Sequence, residues 1–427
     1  MKFYVETLGC QMNVNDSDKM SEFLLQQGLE RCDSCFDADM VIVNTCSVRF
    51  SAEHKAYSLL GRWKELKDKN PNLVIGVVGC MAQYASKEIK ARCKYVDFVL
   101  GAKDFDNFAK TVKRFVTKRQ LTVNNDRNSG CTEVFKYITI MRGCSNFCSY
   151  CIVPYVRGPE QSIDYNIISD EVKRTVDKGT KEIILLGQNV NSYDFGGVNF
   201  TGLLRKISEL ENVTRIRFMT NHPKDLSDEL IDEIAKNKKI CRHIHLPLQS
   251  GSNNILKAMN RKYTYEQYET LYEKIKNKVP DINITSDIII GFPGETDKDF
   301  EDTFNASRKL QFGGLFVFKY SARPDTPAAK MANQVPLDVI KKRHHILLED
   351  SNIISKKINE KYIDTTVEVL VEKYNSETKT AEARNSQSIK VFFNSEMDLT
   401  GQIVDVKITK VLPNSMSAER TQIYNAQ

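Results

Sequence analysis

The feature that most constrains this chain is a recurring unit: a short apolar run, then a loop carrying glycine, cysteine or amide residues, then a helical stretch. Apolar runs at 2–7, 40–44, 73–78 and 96–100 alternate with helical stretches at 16–27, 51–69 and 105–117. In the first of these, Met20, Phe23 and Leu24 recur at helical spacing and predict a core-facing stripe. Strands separated by helices predict a parallel sheet covered on both faces. Residues 1–125 therefore read as a parallel-sheet α/β domain, with its functional groups beyond the carboxyl ends of the strands. A polar stretch, 124–130, precedes a second series of runs at 136–141, 182–186, 214–219, 243–248, 284–290 and 315–320. Helical stretches at 167–178, 228–236, 265–276 and 298–310 lie between them, so 130–358 predicts a partial β/α barrel. From 360 to 425 the pattern changes to period two, with turn residues at 375–376 and 394–395, and predicts a small all-β barrel of about five strands.

Cysteine placement narrows the chemistry. The chain has 11 cysteines, and in a protein without secretory features metal or redox chemistry explains such a number better than disulfides. Cys144, Cys148 and Cys151 form a C-x3-C-x2-C pattern with no fourth ligand following closely. Three thiolates are one short of a closed 4Fe–4S or zinc site, so an iron would stay open to bind something else. Cys10, Cys46 and Cys80 each follow a different strand of the first domain. They read as one shared metal site rather than three separately buried small apolar residues. Gly9 and Gly79 precede two of them and suit a close backbone approach. Cys32 and Cys35 have no partner pair at zinc spacing and read as structural, as do Cys93, Cys131 and Cys241. His243 and His245 alternate along a strand, which predicts ordinary hydrogen bonding inside the barrel.

The loops after the barrel strands are RGCSNFCSYC, GQNVNSY, TNHP, PLQSGS, GFPGET and YSARP. Polar and glycine residues thus gather on one rim and read as a small-molecule pocket. Gly291 and Gly294 allow close approach, Asp287 and Glu295 suit ribose hydroxyls or an ammonium group, and Arg323 suits a carboxylate.

A hydrophobic content of 41% and a formal charge of +6 are those of a mildly basic globular protein that permits, without requiring, an RNA partner. No apolar run reaches the ~18 residues of a membrane span, and the first residues lack a signal-peptide core. A cytoplasmic protein without a membrane partner is expected. In the final barrel, Lys373, Lys379, Arg384, Lys390, Phe392, Phe393 and Lys407 offer charge and stacking for nucleic acid, against the alternative of a packing module.

At this point the motifs resemble those of the radical S-adenosylmethionine (SAM) methylthiotransferases. The matching stretches are ETLGCQMN at 6–13, NTCSVR at 44–49, VGCMAQ at 78–83, RGCSNFCSYCIVPYVRG at 142–158, GQNVNSY at 187–193, NHPKDLSDELI at 221–231, HLPLQSGSNNILKAMNRKYT at 245–264 and DIIIGFPGET at 287–296. The final barrel is similar to a TRAM domain. NTCSVR, RGC and GQNVNSY place the likeness nearest the branch that modifies N6-isopentenyladenosine at position 37 of tRNA. The branches acting on a ribosomal-protein aspartate or on threonylcarbamoyladenosine in tRNA are the alternatives within the family. A two-cluster electron-transfer protein is the alternative outside it.

The resemblance implies two 4Fe–4S clusters and SAM as cofactors. Cys144, Cys148 and Cys151 would hold the cluster that binds and cleaves SAM. Cys10, Cys46 and Cys80 would hold one that supplies sulfur. Tyr150, Gln188, Asn189, Asp287, Glu295 and Arg323 are the expected cofactor-binding residues. Adenine carbon 2 bears no acidic proton, so a radical does what acid–base chemistry cannot. Expected partners are the tRNA anticodon loop, a one-electron donor such as flavodoxin, and a sulfur source, with the enzyme a monomer.

Overall fold

The computed structural model describes residues 1–48, 50–116 and 133–420. Two compact units divide the chain. The first comprises 1–131, 142–146 and 151–161; the second comprises 132–141, 147–150 and 162–427. The polar stretch 124–130, Cys131 and Arg49 lie outside the described residues.

In the first unit, strands Lys2–Thr7, Met40–Thr45, Val74–Gly79 and Phe98–Gly101 form the expected parallel sheet, with a two-residue strand, Glu30–Arg31, added at one edge. Every residue of Met40–Thr45 is buried, as a central strand covered on both faces requires. One face packs Val41, Val43, Ile75 and Val77 against Leu60 and Trp63 of helix Phe50–Lys69. The other packs Phe3, Met40 and Ile42 against Met20 and Leu24 of helix Gln11–Gln26. The predicted stripe of that helix is therefore a core stripe.

The second unit contains the six barrel strands. They lie as two three-stranded parallel sheets, Phe135–Thr139, Glu182–Leu186 and Arg215–Phe218 in one, His243–His245, Asn283–Ile290 and Gly314–Lys319 in the other. A single bridge from Ile216 to Ile240 leads from the first set toward the second. The barrel is partial, as expected. A 23-residue helix, Leu337–Asn359, not anticipated from the sequence, packs on the last strand: His344 Nε2 lies 3.0 Å from the Val317 carbonyl.

The final five strands, Thr366–Asn375, Thr380–Asn385, Lys390–Asn394, Ile403–Val411 and Ser415–Arg420, close into a barrel. This barrel, the third of the expected domains, belongs to the same compact unit as the six-stranded region. A buried clasp joins the two regions. Glu182 binds Arg217 at 2.7 Å and Arg215 at 3.1 Å. Those arginines donate onward to the carbonyls of Arg384, Asn385 and Ser386 on the small barrel. Buried charges of this kind hold because each is paired with an opposite charge. Among the described residues no helix is long and apolar enough to cross a membrane.

Candidate active site

The first cysteine set occupies the sheet edge the sequence predicted. Cys10 caps helix Gln11–Gln26, and Cys80 is the first residue of helix Cys80–Arg92. Free backbone N–H groups and the helix dipole at such termini favour an anionic sulfur. Cys46 accepts a hydrogen bond from the Val48 amide at 3.3 Å. Gly9 and Gly79 are required by crowding within the site itself. Both have positive φ, and a Cβ on Gly9 would stand 2.7 Å from Cys46 Cβ, one on Gly79 2.5 Å from the Thr45 carbonyl.

One arginine organises this edge. Arg157, buried, donates to Cys80 Sγ at 3.3 Å, to Asn13 Oδ1 at 2.9 Å and to Asp16 Oδ2 at 3.2 Å. Asn13 in turn donates to the carbonyls of Leu8 and Thr45, and Cys10 Sγ lies 3.8 Å from its Oδ1. Asp16 also receives Arg142 at 2.8 Å. Two guanidiniums therefore face one carboxylate. Burial pushes the Cys80 thiol up to about 11, with Arg157 pulling it down and the charges of Cys10 and Cys46 raising it further. Cys10 and Cys46 thus both lie within electrostatic reach of Cys80. Among the described residues no three Cys, His, Asp or Glu side chains are already drawn into a ligand cage. The donor set still fits an iron–sulfur cluster: three sulfurs, surplus positive charge, and a thiol whose proton a metal would displace outright.

The second set threads both units: Cys144 and Cys151 belong to the first, Cys148 to the second. In the first unit the Cys144 amide donates to the Gly158 carbonyl, and Asn146 Nδ2 donates to Cys144 Sγ at 3.5 Å. In the second unit residues 147–150 are stapled down. Ser149 donates its amide and hydroxyl to Met259 and Ala258, and Asn260 donates to the Phe147 carbonyl. Arg261, buried, donates to Cys148 Sγ at 3.4 Å, to the Tyr263 hydroxyl and to the Pro247 carbonyl. Each cysteine set thus has one buried arginine on one sulfur.

Tyr150 packs with Ile255, Met259, Phe292 and Ala328. On the rim, buried oxygens without a hydrogen-bond partner follow four of the six strands: Gln188 Oε1, Asn189 Oδ1, Asn221 Oδ1, Gln249 Oε1 and Tyr320 Oη. Thr220 and Gln249 take left-handed backbone conformations beside them. Strain and unpaired buried polar atoms mark ligand sites, and this rim fits a polar molecule such as SAM. Asp287 is half-buried with His245 at 3.3 Å. The Glu295 carboxylate is taken up by Arg343 at 2.6 Å and the Gly291 amide at 3.1 Å, so it braces the GFPGET loop. Arg323 is buried, its carbonyl accepting from Thr326. His243 and His245 both bond to Thr285 Oγ1 at 3.0 Å, an interior role as expected. Arg157, Arg261, Asn221, Gln249 and Tyr320 were not singled out from sequence. All five lie inside motifs that were.

On the final barrel, Phe393 is a correction: it points into the closed barrel core and is closed to stacking. Period two puts alternate residues inside, and Phe393 falls on the inner register with Val391. Arg384 is held bidentate by Glu372, and Lys379, Lys390 and Lys407 pair with Glu396, Glu382 and Asp364.

Comparison with known proteins agrees with this geometry. The Radical SAM superfamily matches residues 138–306, Uncharacterized protein family UPF0004 matches 2–101 and the TRAM domain matches 360–420. A solved radical SAM methyltransferase, TsrM from Kitasatospora setae, shares the fold at TM-score 0.57 and 14% identity over 77% of this chain and 75% of that one. The fold and site define a radical SAM methylthiotransferase, with SAM and a 4Fe–4S cluster as cofactors. Two curated relatives carry the name tRNA-2-methylthio-N(6)-dimethylallyladenosine synthase. That of Endomicrobium trichonymphae is 49% identical over 97% of this chain and 99% of its own length. That of Clostridium novyi is 45% identical over 98% and 96%. The chain belongs to the family of these synthases.

Proposed function

We propose that this protein inserts a methylthio group at carbon 2 of N6-dimethylallyladenosine, the same base as N6-isopentenyladenosine, at position 37 of tRNA. The observation that carries the reading is the pair of three-cysteine sets, each with a buried arginine on one of its sulfurs. Cys144, Cys148 and Cys151 hold the 4Fe–4S cluster that binds SAM, and Cys10, Cys46 and Cys80 hold a second. When bound, SAM and the clusters supply the hydrogen-abstracting radical, the sulfur and the methyl group. The protein's own residues position them. Arg261 fixes Cys148, and Arg157 fixes Cys80 beside Asn13 and Asp16. Tyr150, Gln188, Asn189, Asp287 and Arg323 line the cofactor rim, and Glu295 shapes the Gly291 loop. The small barrel holds the tRNA through charge, which makes binding salt-sensitive. The target base must leave its stack to be modified, as a loop base can. A one-electron donor such as flavodoxin and a separate sulfur source complete the system, and the protein works as a cytoplasmic monomer.

The test is reconstitution with iron and sulfide, followed by incubation with SAM, a reductant and tRNA bearing the prenylated base. About eight irons per chain, 5′-deoxyadenosine release and the methylthiolated nucleoside are expected. Deoxyadenosine without any change in the tRNA would refute the substrate.

A further inference from the structure

The inner face of the second three-stranded sheet carries an aromatic pair that the reading above does not use. Leu315 and Val317 of strand Gly314–Lys319 pack outward against the hydrophobic core. Phe316 and Phe318 therefore face the opposite, inner side. They are 54% and 42% exposed, among the most open aromatic rings of the second unit. Their register neighbours are Asp287 and Ile289. His245 sets its ring edge-on to Phe316 at 5.9 Å and lies 3.3 Å from Asp287. Ile289 belongs in turn to the apolar cluster that seats Tyr150 of the cysteine motif. The row thus leads from the motif loop down an open barrel wall.

Large aromatic rings exposed inside a barrel are costly unless something covers them. The geometry points to Phe316 and Phe318 as the specificity-determining platform for the prenylated adenine of the tRNA substrate. Resting on the substrate reading above, the pair supplies what that base needs. A flipped adenine presents a π-face, which stacks on aromatic side chains. Its dimethylallyl tail adds apolar surface suited to a second ring. Its remaining N6–H is a donor, and the Asp287 carboxylate on the same face is an acceptor. An unprenylated adenosine could use the stacking but not the apolar contact, so the pair discriminates between the two.

The experiment measures binding of the reconstituted enzyme to two anticodon stem-loop RNAs, with and without the prenyl group, by fluorescence anisotropy. Phe316→Ala, Phe318→Ala and the milder Phe316→Leu are compared with wild type. Ile353→Ala, at an exposed apolar position on the outer helix, is the control. Wild type and the control are expected to prefer the prenylated RNA. Each alanine variant should bind it about 5- to 150-fold more weakly, the range for one lost base–aromatic stack. Phe316→Leu should keep part of the prenyl preference. Alanine variants that keep the full wild-type preference overturn the assignment. So does a loss confined to SAM affinity, which would give the pair to the cofactor's adenine. A change in sedimentation with RNA binding intact would make the face a protein contact and equally overturn it. Wild-type methylthiolation of the prenylated RNA, measured alongside, keeps the two readings apart: if it holds and the variants discriminate normally, only this inference falls.

Discussion

Replacing Arg157 by methionine tests the physical logic of the sulfur-bearing site. The substitution keeps the side chain's length and removes its charge and donors. Asp16 would lose one of two guanidiniums, and its side chain is only 6% exposed. Cys80 and Asn13 would lose their donor. Breaking one side of a buried ion pair costs 3–5 kcal/mol, and because Arg142 still faces Asp16 the low end, about 3 kcal/mol, applies here. At about 2–4 °C per kcal/mol for a unit of this size, the melting point should fall by about 6–12 °C. Burial already pushes the Cys80 thiol up to about 11 against the pull of Arg157. Without that pull the sulfur is a poorer ligand, so iron should fall from about eight toward about four per chain. Arg157→Lys keeps the charge but not the fork, and should recover part of both losses. Thermal unfolding, with iron and sulfide assays on the reconstituted protein, reads all three. A methionine variant that melts with wild type and carries full iron would deny Arg157 this role.

Other perturbations separate the remaining parts. Cys148→Ala should abolish SAM cleavage, whereas Cys46→Ala should leave deoxyadenosine release measurable and abolish methylthio transfer; transfer by the second variant would remove the second site from the account. Arg217→Met, which strips Glu182 of a partner and the small barrel of two carbonyl contacts, should cost about 3–5 kcal/mol in urea unfolding. Burial, helped by Arg261 and Lys224, lowers His222 from the ordinary 6.5 to about 2. Below about pH 6.5 the unfolded chain then binds a proton that the folded one refuses. Stability should therefore fall with falling pH, by up to about 1.4 kcal/mol per unit. His222→Gln should flatten that slope in urea unfolding between about pH 7 and about pH 5, and an unchanged slope would deny His222 this role.

The sequence made the cysteine placement legible because strand ends and cysteines coincide: Cys10, Cys46 and Cys80 each close a run whose periodicity is visible. The paired histidines were readable for the same reason, since period two fixes a face. What was not legible depends on distance in the chain. Arg157 lies 77 residues from Cys80, and Arg261 lies 113 from Cys148. No local pattern connects such pairs. Phe393 misled because a phenylalanine in a basic small barrel reads as a stacking group, whereas strand register decides which of Phe392 and Phe393 faces outward. The Glu182 clasp was not legible either, because its carbonyl partners have no sequence signature at all.

The most direct test of the whole account is mass spectrometry of tRNA nucleosides from a strain lacking this protein and from the same strain carrying it back. In the deletion strain 2-methylthio-N6-dimethylallyladenosine should disappear and the unthiolated prenylated nucleoside accumulate in its place, and the returned chain should reverse both. Persistence of the methylthiolated nucleoside at its normal level in the deletion strain would contradict the proposed function.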